Sequence, residues 1–321
     1  MSRICLLNLD GSLARQRDLF GTILPAAEWI PARHWGLRIR LACGFREFAR
    51  FRNWLDRRLP APAGKPAVVF YGSGDFHHVT LALLGRIREP FNLLVLDKHP
   101  DWMCGIPFLH CGTWLYHALS LPMLRRVFHC GGETDFDNAY RWLAPWLDLD
   151  EGRIVVYSAR RRFRGRRWTG INHRPLLPEI LASAENLRIS LDAHRAELRR
   201  YPLYISVDKD VLTEKDAAVN WDSGLLRLEH ATAIIGAFLE AAEGRLAGAD
   251  MLGDWSRVRL GNWLNSLLIH VDHPCPQVAP ADAAARNRRA NAALLGALLS
   301  PDESPERVRT QPAAGMTRAR G

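Results

Sequence analysis

The chain has 321 residues, 48% of them hydrophobic, and a formal net charge of +9. That length fits one large domain or two small ones with a substantial core, but no run reaches the roughly 18–20 consecutive apolar residues of a membrane span. The opening MSRICLLNLD meets Asp10 too early for a secretory leader, and the six cysteines (5, 43, 104, 111, 130 and 275) lack zinc-knuckle or disulfide-framework spacing, so a cytoplasmic chain with reduced thiols is expected.

Ile4 to Leu9 reads as a first strand running into NLDGSL, Asn8 to Leu13. That stretch is similar to the first motif of the haloacid dehalogenase-like phosphatases, whose chemistry needs an aspartate nucleophile. The amide of Asn8 cannot attack a phosphoryl group as a carboxylate does, which argues against that activity. Phe48, Phe51, Trp54 and Leu55 share one face of a helix expected over Phe45 to Leu59. PAPAGKP (Pro60 to Pro66) then leads into a strand from Ala67 to Tyr71, a helix from Val79 to Arg88 and a strand beginning at Phe91. An irregular segment to His110 precedes a helix from Trp114 to Leu124, and strands follow at Arg126 to Cys130 and Ile154 to Ser158. A helix over Leu191 to Arg200, a strand over Leu203 to Asp208, a helix over Leu225 to Gly244 and a strand over Ala247 to Leu252 complete the series. This alternation predicts an α/β fold: three layers, α/β/α, around a mainly parallel sheet. No internal linker divides the ligand-bearing strands, so residues 1–299 are read as one domain. The tail from Ser300 lacks apolar periodicity and is expected to be disordered.

The positive charge is mostly arginine, with six between Arg160 and Arg167 (RRRFRGRR) and more between Arg33 and Arg58. No zinc finger, aromatic RNA-binding motif or helix-turn-helix accompanies it, so nucleic acid is not the expected partner. An acidic or peptidic substrate drawn by the field stays open.

Chemistry concentrates at three strand ends. FNLLVLDKHPD (Phe91 to Asp101) is an apolar run that stops at Asp97, His99 and Asp101. Alternation sends Asp97 and His99 to one face, and Pro100 stops the ladder and lets Asp101 swing back. YPLYISVDKDVL (Tyr201 to Leu212) repeats the design with Asp208 and Asp210, and VVFYGSGDFHH (Val68 to His78) ends in adjacent histidines. Open α/β sheets bind ligands at this carboxyl edge. The collected candidates are His77 or His78, Asp97, His99, Asp101, Asp208 and Asp210. Four carboxylates with imidazoles suit Mn²⁺ better than thiolate-loving metals, and can balance two divalent cations ~3.5–4 Å apart that share and acidify one water.

These motifs resemble those of the arginase/agmatinase (ureohydrolase) family, which shares its fold with the histone deacetylases. The family order is GGDHS, DAHxD, a His-Gly segment, SxDxD and a late acid. Here GSGDFHH (Gly72 to His78), DKHPD (Asp97 to Asp101) and SVDKD (Ser206 to Asp210) stand for the first, second and fourth, over roughly residues 65–260. The resemblance implies an arginase/deacetylase-like fold holding two Mn²⁺ per chain. Asp97 and Asp208 would bridge, with His77 and Asp101 on one ion and His99 and Asp210 on the other. His77 is favoured over His78, although Phe76 stands where the family histidine would. The implied activity is hydrolysis of C–N bonds in a guanidino or amidine compound by an activated water, with His110 as proton shuttle and Asp210 as a second catalytic group. A homo-oligomer is compatible with it.

The chain departs from the family pattern at several points. FLHCGTW sets His110 one residue early and puts Cys111 in register. Gly253 occupies the late-acid position and Asp254 follows it, so Asp254 is the candidate for holding a substrate cation. NWDSGLL (Asn220 to Leu226) resembles the substrate-side glycine loop, where Asp222 would meet a substrate amine unless it forms a simple turn. Lys98 and Lys209 stand between proposed ligands; either each pairs on the opposite side of the sheet or one ammonium replaces a metal ion. LDAHRAE (Leu191 to Glu197) contains a literal DAH, but Ala196 replaces the second acid and Asp192 is expected on an exposed face. The alternatives are a deacetylase-like amidohydrolase and a non-catalytic binding protein on the same scaffold.

Overall fold

The structure is a computed structural model that describes residues 2–16, 27–59, 66–132, 139–160, 177–259 and 277–299. Ten strands are described: β1 (Arg3–Asn8), β2 (Glu28–Pro31), β3 (Ala42–Cys43), β4 (Ala67–Phe70), β5 (Phe91–Leu96), β6 (Leu109–His110), β7 (Leu124–Cys130), β8 (Ile154–Tyr157), β9 (Leu203–Asp208) and β10 (Leu246–Leu252). Eight form one sheet in the order β2-β1-β4-β10-β9-β5-β7-β8. Every pairing in it is parallel, while β3 and β6 make a separate antiparallel pair. Central strands of a parallel sheet are covered on both faces, which is why β5 and β9 are buried along their whole length.

Strand alternation divides the core in two. Phe91, Leu93 and Val95 point into a layer with the helices Arg33–Ile39, Phe45–Arg58, Val79–Leu84 and Trp114–Ala118. Leu94 and Leu96 point the other way, toward the helices Ala184–Asp192, Arg195–Arg200, Leu228–Ala241 and Pro280–Leu298. The expected three-layer α/β/α architecture with a parallel centre is therefore observed.

Several boundaries differ from expectation. The helix at Trp114 stops at Ala118 and β7 already begins at Leu124, because Pro122 has no N–H with which to continue the helix. The helix Val79–Leu84 closes at Gly85 rather than Arg88. Leu191 to Arg200 is not one helix. Ser183 caps a helix Ala184–Asp192, accepting from the Asn186 amide at 3.0 Å, and a second helix spans Arg195–Arg200. Asp192 bonds Arg195 at that exposed junction. Three elements carried little sequence signal. β2 is an edge strand that tolerates Pro31; the helix Arg33–Ile39 is only seven residues long. The helix Pro280–Leu298 buries a stripe containing Ala283, Asn287, Ala290 and Asn291, which dilutes its hydrophobic period. The segment from Ser300, Cys275 and Arg161 to Arg167 of the arginine run lie outside the described residues. Among the described residues, no helix is long and apolar enough to cross a membrane.

Candidate metal centre

Parallel register brings the acidic strand ends together. Val95 lies opposite Ser206 and Leu96 opposite Val207, so Asp97 and Asp208 leave adjacent strands at the same height. The loop after β4 supplies His77 from the neighbouring side. Asp101 adopts a φ of +52°, a left-handed conformation uncommon for a non-glycine residue, and this turn after Pro100 folds its carboxylate back. Trp114 Nε1 holds it there, donating to Oδ2 at 2.8 Å.

The resulting cluster has two halves. His77 Nδ1 lies 2.8 Å from Asp101 Oδ2, 3.0 Å from Asp97 Oδ2 and 3.7 Å from Asp208 Oδ2. His99 Nδ1 lies 2.8 Å from Asp210 Oδ2 and 3.8 Å from Asp97 Oδ1. His77, Asp97 and Asp101 form one group with metal-ligand spacing, and Asp97, His99 and Asp210 form another. Backbone amides orient the acids: His99 N donates to Asp97 Oδ1 at 2.6 Å, Lys98 N to Asp210 Oδ1 and Asp210 N to Asp208 Oδ1, each at 3.1 Å.

All but His99 of these six are buried. Burial, together with the charges of Asp210 and Asp97, pushes the Asp208 carboxyl up, and burial with Asp97 raises Asp210. Burial alone would depress the His77 imidazolium, but Asp101 and Asp97 outweigh it and hold the ring well above its ordinary value. Asp210 in the same way lifts His99 to about 10 against its desolvation. These directions describe carboxylates crowded together with protons as the available countercharge. Buried His77 Nδ1 and Asp97 Oδ2 have no hydrogen-bond partner of acceptable geometry. Hard oxygen and imidazole donors converging with such orphaned atoms fit a divalent cation.

The adjacent histidine is built differently. His78 is fully buried near Phe48, with ring centroids 6.2 Å apart. Burial, reinforced by His110 and His77, pushes it down to about 3, so it stays neutral. The structure places His77, and not His78, among the acids.

The lysines are likewise accounted for. Lys209 is buried, with Nζ donating to the Leu252 carbonyl and lying 3.4 Å from Asp254 Oδ1. Lys98 Nζ reaches toward Asp222 Oδ2 at 3.9 Å. Among the described residues neither ammonium pairs with a carboxylate of the cluster. Asp254, expected to meet a substrate cation, is buried and lies against Lys209. Gly253 has a φ of +87°, and a Cβ there would sit 2.3 Å from Asp208 Oδ1 and 2.6 Å from Lys209 N. No side chain fits at that position. His110 caps the turn Cys111–Thr113, accepting from Gly112 N at 2.9 Å through Nδ1. Burial, then Asp101 and Asp75, pushes the Cys111 thiol well up and keeps it protonated.

Ser206 opens the SVDKD motif, but the three groups joined to the site beside it, Asp250, Tyr204 and His129, escape a motif search. His77 Nε2 meets Ser206 Oγ at 3.1 Å, and that hydroxyl donates to Asp250 Oδ1 at 2.7 Å. Tyr204 donates to Asp250 Oδ2 at 2.8 Å. His129, which burial keeps neutral, contacts the His99 carbonyl through Nε2 at 2.9 Å. The available sequence signal was a lone acid inside the apolar run ADML, directly across the ladder from Ser206. Trp221, 5.4 Å from the His99 ring, donates to Asp75 Oδ1 at 2.9 Å, and Arg40 Nε bonds Asp75 Oδ2 at 2.6 Å.

No protein-family model matches the chain. An uncharacterized protein of Thermotoga maritima is 26% identical over 201 residues, 62% of each chain, so less than two thirds of that relative's length is spanned. Among solved structures, an arginase from Bacillus caldovelox superposes with a TM-score of 0.57 at 12% identity, covering 92% of this chain and 99% of that one. The formimidoylglutamase of Bacillus subtilis gives 0.56 at 12% identity over 94% and 88%. The agmatine ureohydrolase of Thermoplasma volcanium gives 0.53 at 11% over 92% and 90%. At these identities the likeness establishes the architecture: the chain has the arginase/ureohydrolase fold.

Proposed function

We propose that this chain is a manganese-dependent hydrolase of C–N bonds in a small guanidino, amidine or related compound. The observation that carries the reading is Asp97, whose two oxygens face the two histidines separately, Oδ2 toward His77 and Oδ1 toward His99. A carboxylate divided in this way suits a bridging role between two cations. His77 and Asp101 would complete one set and His99 and Asp210 the other, with Asp208 shared. When bound, a pair of divalent cations balances the four carboxylates and supplies an acidified water as nucleophile.

The remaining work falls to the chain. Asp210, one of whose oxygens is fixed by Lys98 N, would accept and steer the proton of the attacking water. The Nδ1 of His110 is occupied by Gly112, so a proton it relays to a departing amine enters and leaves at Nε2. Trp221 lies against the His99 ring, 5.4 Å between centroids, and forms one wall of that side of the site. Asp222, 73% exposed at the rim, is the remaining candidate for a substrate amine. The test is metal content together with a substrate screen: two Mn²⁺ per chain and release of urea, ammonia or an amine from a guanidino or amidine compound are expected. Full metal loading without turnover of any such compound would overturn the reading.

One observation favours a second reading. With Gly253 closed to side chains and Asp254 against Lys209, no carboxylate among the described residues occupies the position that would hold a guanidinium. An amide substrate, which needs no such clamp, fits that arrangement, and turnover of acetylated amines in the same screen would select it. Failure of both panels with metal bound would leave a non-catalytic binding scaffold.

A further inference from the structure

On the far side of the loop that carries His77 lies a cleft of about 170 Å³. Its floor is apolar and buried, made by Leu9, Gly36 and Phe76. Its rim is not: Arg15, Arg33, Arg257 and Arg259 stand around it, all exposed. None of these four forms an ion pair with another described residue. Arg15 lies over the Trp255 ring, 5.8 Å from its centroid.

Among the described residues, the nearby acids do not neutralise this rim. Asp10 lines the cleft, but its Oδ1 takes the amide and hydroxyl of Ser12 and its Oδ2 takes the amide of Ser73 at 3.0 Å. Asp75 is bound by Arg40 and Trp221. Among the described residues, and counting Arg40 at the base, five guanidiniums stand against two carboxylates, a formal surplus of three positive charges. Guanidiniums that line one cleft repel one another, and their forked N–H groups match oxyanions.

The geometry points to an oxyanion site: we infer that this cleft binds a phosphate group, free or carried on a small metabolite, at a place distinct from the carboxylate cluster. Small volume favours a single tetrahedral group over a polymer. The two sites share a wall. Gly72 to His77 presents Phe76 to the cleft and His77 to the acids, and Arg40 reaches Ser73 and Asp75 within that same loop. This inference does not depend on the hydrolase reading, since it concerns residues outside the cluster.

The probe is inorganic phosphate, titrated calorimetrically into the full chain against chloride at matched ionic strength. Saturable binding is expected, weakened at least tenfold in Arg33→Ala and in Arg257→Ala, and partly kept in Arg33→Lys. Because these side chains are exposed, their removal should leave the melting temperature within a degree or two. Chelator-treated protein should bind phosphate within twofold of untreated protein. A binding heat no larger than that of chloride would overturn the inference, as would loss of binding on chelation with retention in the arginine variants, which would put the anion on a metal. A phosphorylated amine or sugar phosphate binding at least tenfold more tightly than free phosphate, with the same arginine dependence, would identify the group as part of a metabolite.

Discussion

Lys209 and Asp254 form an ion pair inside the protein, Nζ to Oδ1 at 3.4 Å, with both side chains buried. Burial raises the Asp254 carboxyl and the neighbouring ammonium lowers it. Removing one partner leaves a lone charge in a low dielectric, which costs about 3–5 kcal/mol. Lys209→Met is therefore expected to be strongly destabilising in urea denaturation, and Lys209→Met with Asp254→Leu to recover much of the loss. Manganese stoichiometry in the double variant should stay that of the unaltered chain. A drop in metal content there would show that the lysine acts on the centre after all.

The crowded carboxylates predict stabilisation by metal. A ligand that binds only the folded state contributes about 2.7 kcal/mol at a hundred times its dissociation constant. Mn²⁺ should raise the melting temperature and a chelator should reverse the shift. Asp97→Ala removes the acid common to both groups, and its melting temperature should no longer respond to Mn²⁺. An unchanged response would mean that the ion binds elsewhere.

Ser206 connects His77 to Asp250. Such outer partners fix the tautomer and ring orientation of a ligating histidine, and losing one typically costs about 10–100-fold in metal affinity. Ser206→Ala and Asp250→Asn are expected to weaken Mn²⁺ binding on that scale, and Ser206→Thr to restore it by keeping the hydroxyl. Equal losses in the Ala and Thr variants would reduce the serine to a packing role.

Much of this was legible in the chain itself. Asp97, His99, Asp208 and Asp210 sit at the ends of long apolar runs, and the period of a strand fixes which side they leave on. Strand alternation could not choose between His77 and His78, because both follow a turn; only the spacing of the resembling motif favoured His77. Asp250 was hidden for a related reason. Its importance comes from register across β9 and β10, a non-local relation. The reach of Lys209 to Asp254 depends in turn on how the chain bends after β10.

Gly253 provides a test in which restoring a family feature should fail. It is held at a φ of +87°, and any Cβ would collide with Asp208 Oδ1 and the Lys209 amide. Gly253→Glu is expected to lose stability and Mn²⁺ affinity together. Gly253→Ala should already cost more than the roughly 1 kcal/mol typical of glycine replacement at a positive φ, since Asp208 must move. A well-folded Gly253→Glu variant with full metal content would show that this loop yields more easily than its contacts imply.

The cysteines give a pH dependence of definite sign. Burial, with help from Glu47, pushes the Cys43 thiol from 9.0 up to about 12, and burial with Glu28 pushes Cys5 to about 11. Between the unfolded and folded values the native chain keeps a proton that the unfolded chain releases. Stability must then fall as pH rises above about 9, by on the order of 1 kcal/mol per pH unit for a fully buried thiol. Below pH 8 both states are protonated and the thiol contributes no slope. Lysines and tyrosines titrate in the same range, so the informative quantity is a difference. Denaturation midpoints at pH 8, 9 and 10 should fall more steeply for the unaltered chain than for Cys43→Ala. Cys43→Ala loses some packing at pH 8, and the gap between the two proteins should narrow as pH climbs. Parallel curves would mean that Cys43, on the short strand β3, reaches water by local opening before the chain unfolds.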